Sequence, residues 1–242
     1  MLTTPVPHRP HDPDVADFAP VDTWVFDLDN TLYAANADIF PQVDARIREY
    51  TARSLGIDLD SAYQLQKDLY RRYGTSLRGL MLEYGVEPQP FLDYVHDIDY
   101  SALQPDPALA SALEHLPGRR YIMTNGTARH AMNTVAQLGI ASLFEGVFDI
   151  VAADLIPKPD GAAYETLFRD HGIVPKKAAM FEDLPRNLTY PHEVGMRTVL
   201  VVPRGHKQSV EALPTADSAA IAGIDYVTDD LAGFLGHLAQ RT

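Results

Sequence analysis

One short stretch decides the fold, and it reads Thr23-Trp24-Val25-Phe26-Asp27-Leu28-Asp29-Asn30-Thr31-Leu32. It opens with apolar, aromatic and β-branched residues, which are typical of a parallel strand buried on both faces. Asp27 and Asp29 come directly after this strand. Because residues two apart in an extended chain share a face, we expect the two carboxylates about 6 to 7 Å apart. Alone the pair decides little, since acidic turns often follow strands.

Several later segments have the same strand-like character, and they are residues 121–123, 147–151, 178–181 and 198–202. Helix-like sequence separates them. For example, an apolar stripe over residues 128–138 follows Thr127, which we predict as the N-cap of a helix. Strands that alternate with helices in this way predict an α/β fold with a doubly wound, Rossmann-like parallel sheet.

The first and second strands are separated by far more chain than a crossover helix requires. Apolar residues with helical spacing fill this segment, and they include Phe40, Val43, Ile47, Leu65, Leu69, Leu77, Leu80, Phe91, Leu92 and Val95. We therefore predict a helical cap over residues 34–104, inserted after the first strand, and a core formed by residues 21–33 and 105–242. The proline-containing residues 1–20 predict a flexible N-terminal arm. A cap placed there hangs over the carboxyl end of the first strand, where open α/β sheets bind ligands.

Composition restricts the partners of this 242-residue chain. Its formal net charge of -13 argues against binding to nucleic acid polymers or anionic membranes, which rely on clustered cations. With 0 Cys, a disulfide framework, a thiolate zinc site and a cysteine nucleophile are excluded. No segment has the apolar length of a membrane span or a signal peptide. We expect a soluble, cytoplasmic protein whose partner is a small molecule, and its oligomeric state stays open.

Polar residues follow the second strand at Thr124-Asn125-Gly126 and precede a helix. A hydroxyl and main-chain N–H groups at a helix N-terminus suit a phosphate, and glycine permits close approach of the backbone. Lys158 stands between two prolines, and a residue before proline is held in extended geometry. We predict that Thr124, Asn125 and Lys158 bind a phosphoryl group, although each feature alone is also common in ordinary turns and loops.

Glu182 and Asp183 follow the fourth strand and bring two further acids to the same edge of the sheet. Together with Asp27 and Asp29 they form a cluster whose carboxylates repel one another. A hard divalent cation with oxygen ligands resolves this conflict, and Mg²⁺ suits a site that is shared with phosphate oxygens. The sequence therefore predicts a magnesium site.

The order of these features is more informative than any one of them. It resembles the haloacid dehalogenase (HAD)-like hydrolase superfamily over residues 23–202, whose four motifs match Asp27/Asp29, Thr124, Lys158 and Glu182/Asp183. This resemblance implies that Asp27 attacks phosphorus and that Asp29 acts first as an acid and then as a base. It also implies that Mg²⁺ is bound by the Asp27 carboxylate, the Asp29 carbonyl and Asp183, with Glu182 bound directly or through water.

Three strings point to a narrower resemblance. They are the first motif continued to Tyr33, residues 73–80 in the predicted cap, and Thr124-Asn125-Gly126 with His130. Together they look like the pyrimidine 5'-nucleotidase group, which implies a nucleoside 5'-monophosphate such as UMP or CMP as the substrate. Arg78 is then a candidate to contact substrate from the cap, or it pairs with a nearby glutamate. We expect His130 and Asn187 to form hydrogen bonds near the site rather than to transfer protons.

Other functions stay open at this point. A phosphatase or phosphoglucomutase of the same superfamily that acts on a sugar phosphate or another small phosphometabolite shares the acidic pair. Dehalogenases of the superfamily lack the second aspartate of the first motif, which Asp29 supplies here. A receiver-type phosphoswitch also combines Asp, Thr, Lys and Mg²⁺, but it needs a much shorter chain without a cap. A catalytically silent binding protein on the same fold is a further alternative.

Overall fold

The computed structural model describes residues 13–34, 37–204 and 223–239. Its strands form one parallel sheet of six, in the order β3-β2-β1-β4-β5-β6. The strands are β1 (Thr23–Phe26), β2 (Arg119–Met123), β3 (Gly146–Phe148), β4 (Ala178–Glu182), β5 (Arg197–Val201) and β6 (Tyr226–Thr228). The predicted doubly wound parallel sheet is confirmed.

The helices of the described residues fall into two groups. Four lie between β1 and β2, and they are α1 (Phe40–Leu55), α2 (Leu59–Tyr73), α3 (Ser76–Tyr84) and α4 (Pro88–Val95). We refer to residues 40–95 as the helical insertion. The remaining helices are α5 (Pro107–His115), α6 (Ala128–Gln137), α7 (Gly161–His171), α8 (Pro185–Glu193) and α9 (Leu231–Ala239).

β1 lies between β2 and β4 in the sheet, and every one of its side chains is buried. Trp24 and Phe26 belong to the hydrophobic core on one face, which includes residues of α5, α6 and α9. Val25 points to the other face, whose core includes residues of α7 and α8. The Phe26 ring stacks on Phe181 of β4 with their centroids 4.7 Å apart. Helices therefore cover both faces of the sheet, as its all-parallel topology requires.

The register of the central strands determines which residues meet at the ligand-binding edge. Phe26 of β1 pairs with Ile122 of β2 and with Phe181 of β4. The next residue, Asp27, donates its main-chain N–H to the Phe181 carbonyl at 2.9 Å. Asp27 thus lies between the carboxyl ends of β2 and β4, where open α/β sheets bind ligands.

The helical insertion has a hydrophobic core of its own, which includes Leu69, Leu80, Phe91 and Leu92. Its helices α2 and α3 approach closely at Gly79, where an added Cβ atom would lie 2.7 Å from the Leu69 side chain. Small size at this position therefore determines how tightly these two helices pack.

The structure differs from the sequence-based prediction in three places. The predicted strand over residues 147–151 ends at Phe148, because the Asp149 carboxylate accepts hydrogen bonds from the Ala128 and Ala152 N–H groups and turns the chain. Strand β6 and helix α9 were missed, since three strand residues among acidic neighbours give a weak signal. The predicted arm is also too long, because Phe18 is fully buried and stacks on Trp24.

The rest of the predicted arm, residues 1–12, lies outside the described residues. Thr127 is the N-cap of α6, as predicted, and its hydroxyl accepts from the His130 N–H. Within the described ranges, no helix is long and apolar enough to cross a membrane.

Candidate active site

A buried lysine joins two of the predicted acidic residues. Lys158 is 2% exposed, and its Nζ donates to Asp27 Oδ1 at 2.6 Å and to Glu182 Oε1 at 2.7 Å. Its third contact is the Met123 carbonyl at 2.8 Å, so all three N–H bonds of the ammonium group are used. Burial opposes the charged form, but the two carboxylates raise the pKa of Lys158 well above its ordinary value. The lysine is therefore a fixed positive charge at the end of β1.

Asp183 adds a further acid that this lysine does not contact. Asp27, Glu182 and Asp183 each present a carboxylate oxygen, and these oxygens lie within 4.8 Å of one another. Burial and then the repulsion of Asp27 and Glu182 raise the pKa of Asp183 to about 9. Burial raises the pKa of Asp27 to about 7, where Glu182 adds to the effect and Lys158 opposes it.

Three carboxylates thus lie together beside one lysine, so their negative charge is not balanced by that lysine alone. An all-oxygen donor set with such an excess fits a hard divalent cation such as Mg²⁺. The residues present therefore fit the predicted metal, with Asp27, Asp183 and Glu182 as the side chains that could hold it.

Asp29 lies in a different environment from its neighbour in the motif. Its Oδ1 accepts from the Tyr33 hydroxyl at 2.5 Å and is 2.9 Å from Nε2 of His130. Burial acts to raise the pKa of Asp29, but His130 and Tyr33 together lower it to about 2. The pKa values of the two carboxyl groups in the Asp-x-Asp pair are thus shifted in opposite directions, because Asp29 has two hydrogen-bonding partners on one oxygen and Asp27 shares its lysine with Glu182.

The residues after β2 support the lysine. Thr124 is buried, and its hydroxyl accepts from the Gly126 N–H at 2.9 Å. The Asn125 side chain accepts from the Lys158 main-chain N–H at 2.8 Å and donates to the Lys158 carbonyl at 3.2 Å. The Asn125 amide thus orients the backbone of Lys158, and because Asn125 also lines the cavity described below, its contact with phosphate stays a prediction.

Arg78 does not join this group. Its guanidinium donates to the Leu155 carbonyl at 3.2 Å, which links α3 of the insertion to the loop after β3. It is not among the residues that line the cavity described below. Arg78 thus makes a structural contact with a main-chain carbonyl, and its contact with substrate stays a prediction.

A cavity of about 330 Å³ opens above the strand ends. Its lining includes the predicted site residues Asp27, Asp29, Thr124, Asn125, Lys158, Glu182 and Asp183. The opposite lining comes from the helical insertion and includes Val43, Asp44, Ile47, Gln66, Lys67, Leu77, Phe91 and Val95. The cavity thus places charged groups of the core opposite mostly apolar side chains of the insertion, which suits a small ligand with one strongly charged end.

Sequence reasoning missed several residues of the site. Thr31 donates its hydroxyl to Asp27 Oδ2 at 3.0 Å, and Tyr33 holds Asp29 in the same way. Both lie four residues after their partner, so the first motif itself carried the signal. Asn187 and His130 do form hydrogen bonds at the site, as expected, with Asn187 donating to Glu182 at 2.6 Å. No sequence pattern pointed to Gln66, which resembles any polar residue of a helix.

A Rossmann-like core that gathers an Asp-x-Asp pair, a threonine, a buried lysine and a Glu-Asp pair under a helical insertion defines a hydrolase of the HAD type. A family model described as haloacid dehalogenase-like hydrolase matches residues 21–189. The chain belongs to this family, and the resemblance read from its motifs is confirmed.

Individual relatives agree with this assignment. The chain is 28% identical over 229 residues to Phosphate metabolism protein 8 of Saccharomyces cerevisiae. The alignment covers 87% of this chain and 70% of that protein. The solved HAD phosphatase from Thermococcus onnurineus matches with a TM-score of 0.56 and 19% identity, over 86% of this chain and 94% of that one. The solved 2-haloacid dehalogenase from Pseudomonas syringae pv. Tomato matches with a TM-score of 0.55 and 21% identity, over 92% of this chain and 100% of that one. At these identities the two solved structures show the fold alone.

Proposed function

We propose that this hydrolase is a Mg²⁺-dependent phosphomonoesterase that works through an aspartyl-phosphate on Asp27. The observation that carries the proposal is the position of Lys158, whose Nζ lies 2.6 Å from Asp27 and 2.7 Å from Glu182 at the base of the cavity. A lysine buried between two carboxylates at the base of a cavity can hold a nucleophile in place and neutralise an anionic group.

The proposed reaction has two displacement steps. A carboxylate oxygen of Asp27 attacks phosphorus, and the bond from phosphorus to the leaving oxygen breaks as Asp29 gives that oxygen a proton. Asp29 then takes a proton from a water molecule, which attacks phosphorus and releases phosphate from Asp27. Thr124 holds a phosphoryl oxygen during both steps, and the positive charge of Lys158 next to Asp27 stabilises the negative charge of the phosphoryl group.

Asp29 must carry a proton in the first step, although its pKa in the free protein is lowered to about 2. A bound phosphate ester brings negative charge next to this carboxyl group and so favours its protonated form. Once Asp29 has given its proton to the leaving oxygen it is ionised, which is the form that the second step requires.

Mg²⁺ would be held by carboxylate oxygens of Asp27 and Asp183 with Glu182 beside them, and by the Asp29 main-chain carbonyl. When bound it neutralises charge on the phosphoryl group, as divalent cations do in phosphoryl transfer.

For the substrate we propose a nucleoside 5'-monophosphate, with a pyrimidine base as the finer proposal. The apolar lining supplied by the insertion favours a leaving group with flat apolar faces over a sugar covered in hydroxyl groups. A sugar phosphate or another small phosphometabolite is the alternative within the same chemistry. We also propose that the insertion acts as a cap that admits small phosphate esters, and that residues 34–104 and the flanking core form separate domains.

The test is phosphate release from UMP, CMP, ribose 5-phosphate, glucose 6-phosphate and p-nitrophenyl phosphate, with and without excess EDTA. We expect activity that needs Mg²⁺ and that falls at least about 10³-fold in Asp27→Asn, because the nucleophile is lost. Asp60→Asn, an exposed aspartate on α2, is the matched control. Activity that survives chelation or the Asp27→Asn change would contradict the proposal, as would halide release from a 2-haloacid without phosphate release.

A further inference from the structure

His96 presents an unpaired ring nitrogen to the cavity. The residue is the C-cap of α4 and lines the cavity. Its Nδ1 lies 3.1 Å from the Leu92 carbonyl. Because a carbonyl oxygen can only accept, Nδ1 carries the proton, and Nε2 of the neutral ring is an acceptor. Within the described ranges, Nε2 makes no hydrogen bond and is not among the unpaired atoms that are fully buried, so it reaches the surface of the cavity.

The surroundings of His96 keep its ring neutral. The ring stacks on that of His130, with their centroids 4.7 Å apart. Burial, and next the neighbouring His130, lower the pKa of His96 to about 4. When a ligand displaces water from the cavity, the Nε2 lone pair needs a donor from that ligand. The phosphoryl oxygens of an ionised ester only accept, so the donor must come from the leaving group.

A gap beside Gly126 places Nε2 of His96 close to the residues proposed to act on the phosphate. A Cβ atom added at Gly126 would lie 3.4 Å from His96 Nε2 and 3.3 Å from the Thr124 hydroxyl. The His130 ring borders the same gap, at 3.1 Å from that position, and its Nε2 is 2.9 Å from Oδ1 of Asp29. The acceptor therefore lies near both the proposed phosphate-binding hydroxyl and the proposed general acid.

We propose that Nε2 of His96 accepts a hydrogen bond from a hydroxyl group of the leaving group. Asp29 gives its proton to the ester oxygen in the proposed reaction, so a donor that reaches His96 lies within a few bonds of that oxygen. In a nucleoside 5'-monophosphate this donor is the 3'-hydroxyl of ribose. The inference rests on the proposed phosphatase function, and it specifies the substrate as an ester whose leaving group carries a hydroxyl near the phosphate.

The first test compares UMP with 3'-deoxy-UMP on the wild-type protein in the presence of Mg²⁺. The two esters differ by one hydroxyl group. We expect kcat/KM to be about tenfold higher for UMP, because the deoxy substrate leaves the His96 acceptor without a donor in the complex. p-Nitrophenyl phosphate, whose leaving group has no hydroxyl in the ester, serves as the reference for chemistry that does not use this contact.

Two substitutions separate the roles of the ring nitrogens of His96. His96→Asn keeps an N–H group for the Leu92 carbonyl but has no acceptor at the position of Nε2, so the preference for UMP over 3'-deoxy-UMP should disappear. His96→Gln extends an amide oxygen toward that position and should retain part of the preference. His115→Asn is the matched control and should keep the full preference, because His115 also holds a carbonyl four residues earlier through Nδ1, at 2.8 Å, but is exposed.

A recognition role and a structural role predict different losses. In His96→Asn, kcat/KM should fall about tenfold more on UMP than on p-nitrophenyl phosphate. Three results would overturn this inference and leave the phosphatase proposal standing: equal kcat/KM of the wild type on UMP and 3'-deoxy-UMP, equal losses on all three esters in His96→Asn, or a wild type that hydrolyses p-nitrophenyl phosphate but not UMP. Absence of phosphate release from every ester would overturn the proposed function, and this inference with it.

Discussion

His130 Nε2 lies 2.9 Å from Oδ1 of Asp29, and the Tyr33 hydroxyl donates to the same oxygen at 2.5 Å. His130 is 1% exposed, and its other ring nitrogen is 2.9 Å from the Tyr100 hydroxyl. In the described part of the chain, Oδ2 of Asp29 has no such partner. Two groups thus hold one oxygen and leave the other to exchange a proton with the leaving group or with water.

Removal of the contact between His130 and Asp29 should impair proton transfer by Asp29 more than the attack of Asp27 on phosphorus. His130→Phe keeps the ring that stacks on His96 at 4.7 Å but loses both nitrogens. Because a general acid contributes about 10²–10⁴-fold and matters most for a poor leaving group, we expect kcat on UMP to fall about tenfold more than kcat on p-nitrophenyl phosphate. His115→Phe, an exposed histidine on α5, is the control. Equal losses on both esters would show that His130 supports only the fold.

The stability of the metal-free protein should fall as pH rises. The pKa values of Asp27 and Asp183 are raised to about 7 and about 9, so the folded state binds protons more tightly than the unfolded state does. The stability that these groups contribute is present at low pH and is lost as pH rises through their folded pKa values.

Mg²⁺ competes with these protons, so its effect on stability should grow with pH. We expect MgCl₂ to raise the melting temperature more at about pH 8.5 than at about pH 6, measured against NaCl of equal ionic strength. Asp183→Asn should reduce this difference. A shift that is independent of pH would mean that the ion binds elsewhere.

Two glycines in helices should respond to alanine in opposite ways. A Cβ atom at Gly79 would lie 2.7 Å from the Leu69 side chain, so Gly79→Ala must push α3 away from α2 at a cost of about 1–3 kcal/mol. At Gly236 on α9, none of the described residues outside the helix backbone and the chain neighbours lies within 4 Å of the added Cβ, and alanine should stabilise the helix by about 0.5–1 kcal/mol. Denaturant unfolding of both variants measures the difference. A stable Gly79→Ala protein would show that the insertion can repack.

The central part of the fold was readable from local sequence. Each of the strands β1, β2, β4 and β5 contains a short apolar run, because a parallel strand covered on both faces needs mostly apolar residues. The grouping of the motifs at the strand ends could also be predicted, because parallel strands bring their carboxyl ends to one edge of the sheet. Strand β6 was not predicted, because three residues at the edge of the sheet are too few to show a clear hydrophobic pattern.

The hydrogen-bond partners of individual side chains could not be predicted from the sequence. The contacts of the Asn125 amide with the Lys158 backbone and of Arg78 with the Leu155 carbonyl could not be predicted from the sequence. Hydrogen bonds of this kind depend on distances between segments far apart in the chain, as between Asn125 and Lys158. The same limit applies to Gln66, a buried residue of α2 that lines the cavity.

By itself the sequence determined the parallel α/β sheet, the helical insertion after its first strand and the acidic, threonine and lysine residues that gather at the sheet edge, because these depend on periodicity and on the order of motifs. Only the tertiary structure decided that Lys158 joins Asp27 to Glu182, that His130 and Tyr33 hold one oxygen of Asp29, and that Gln66 is buried and lines the cavity. These relationships need two or more elements packed against each other, and the free energy of a polar contact depends on the burial and geometry that such packing creates.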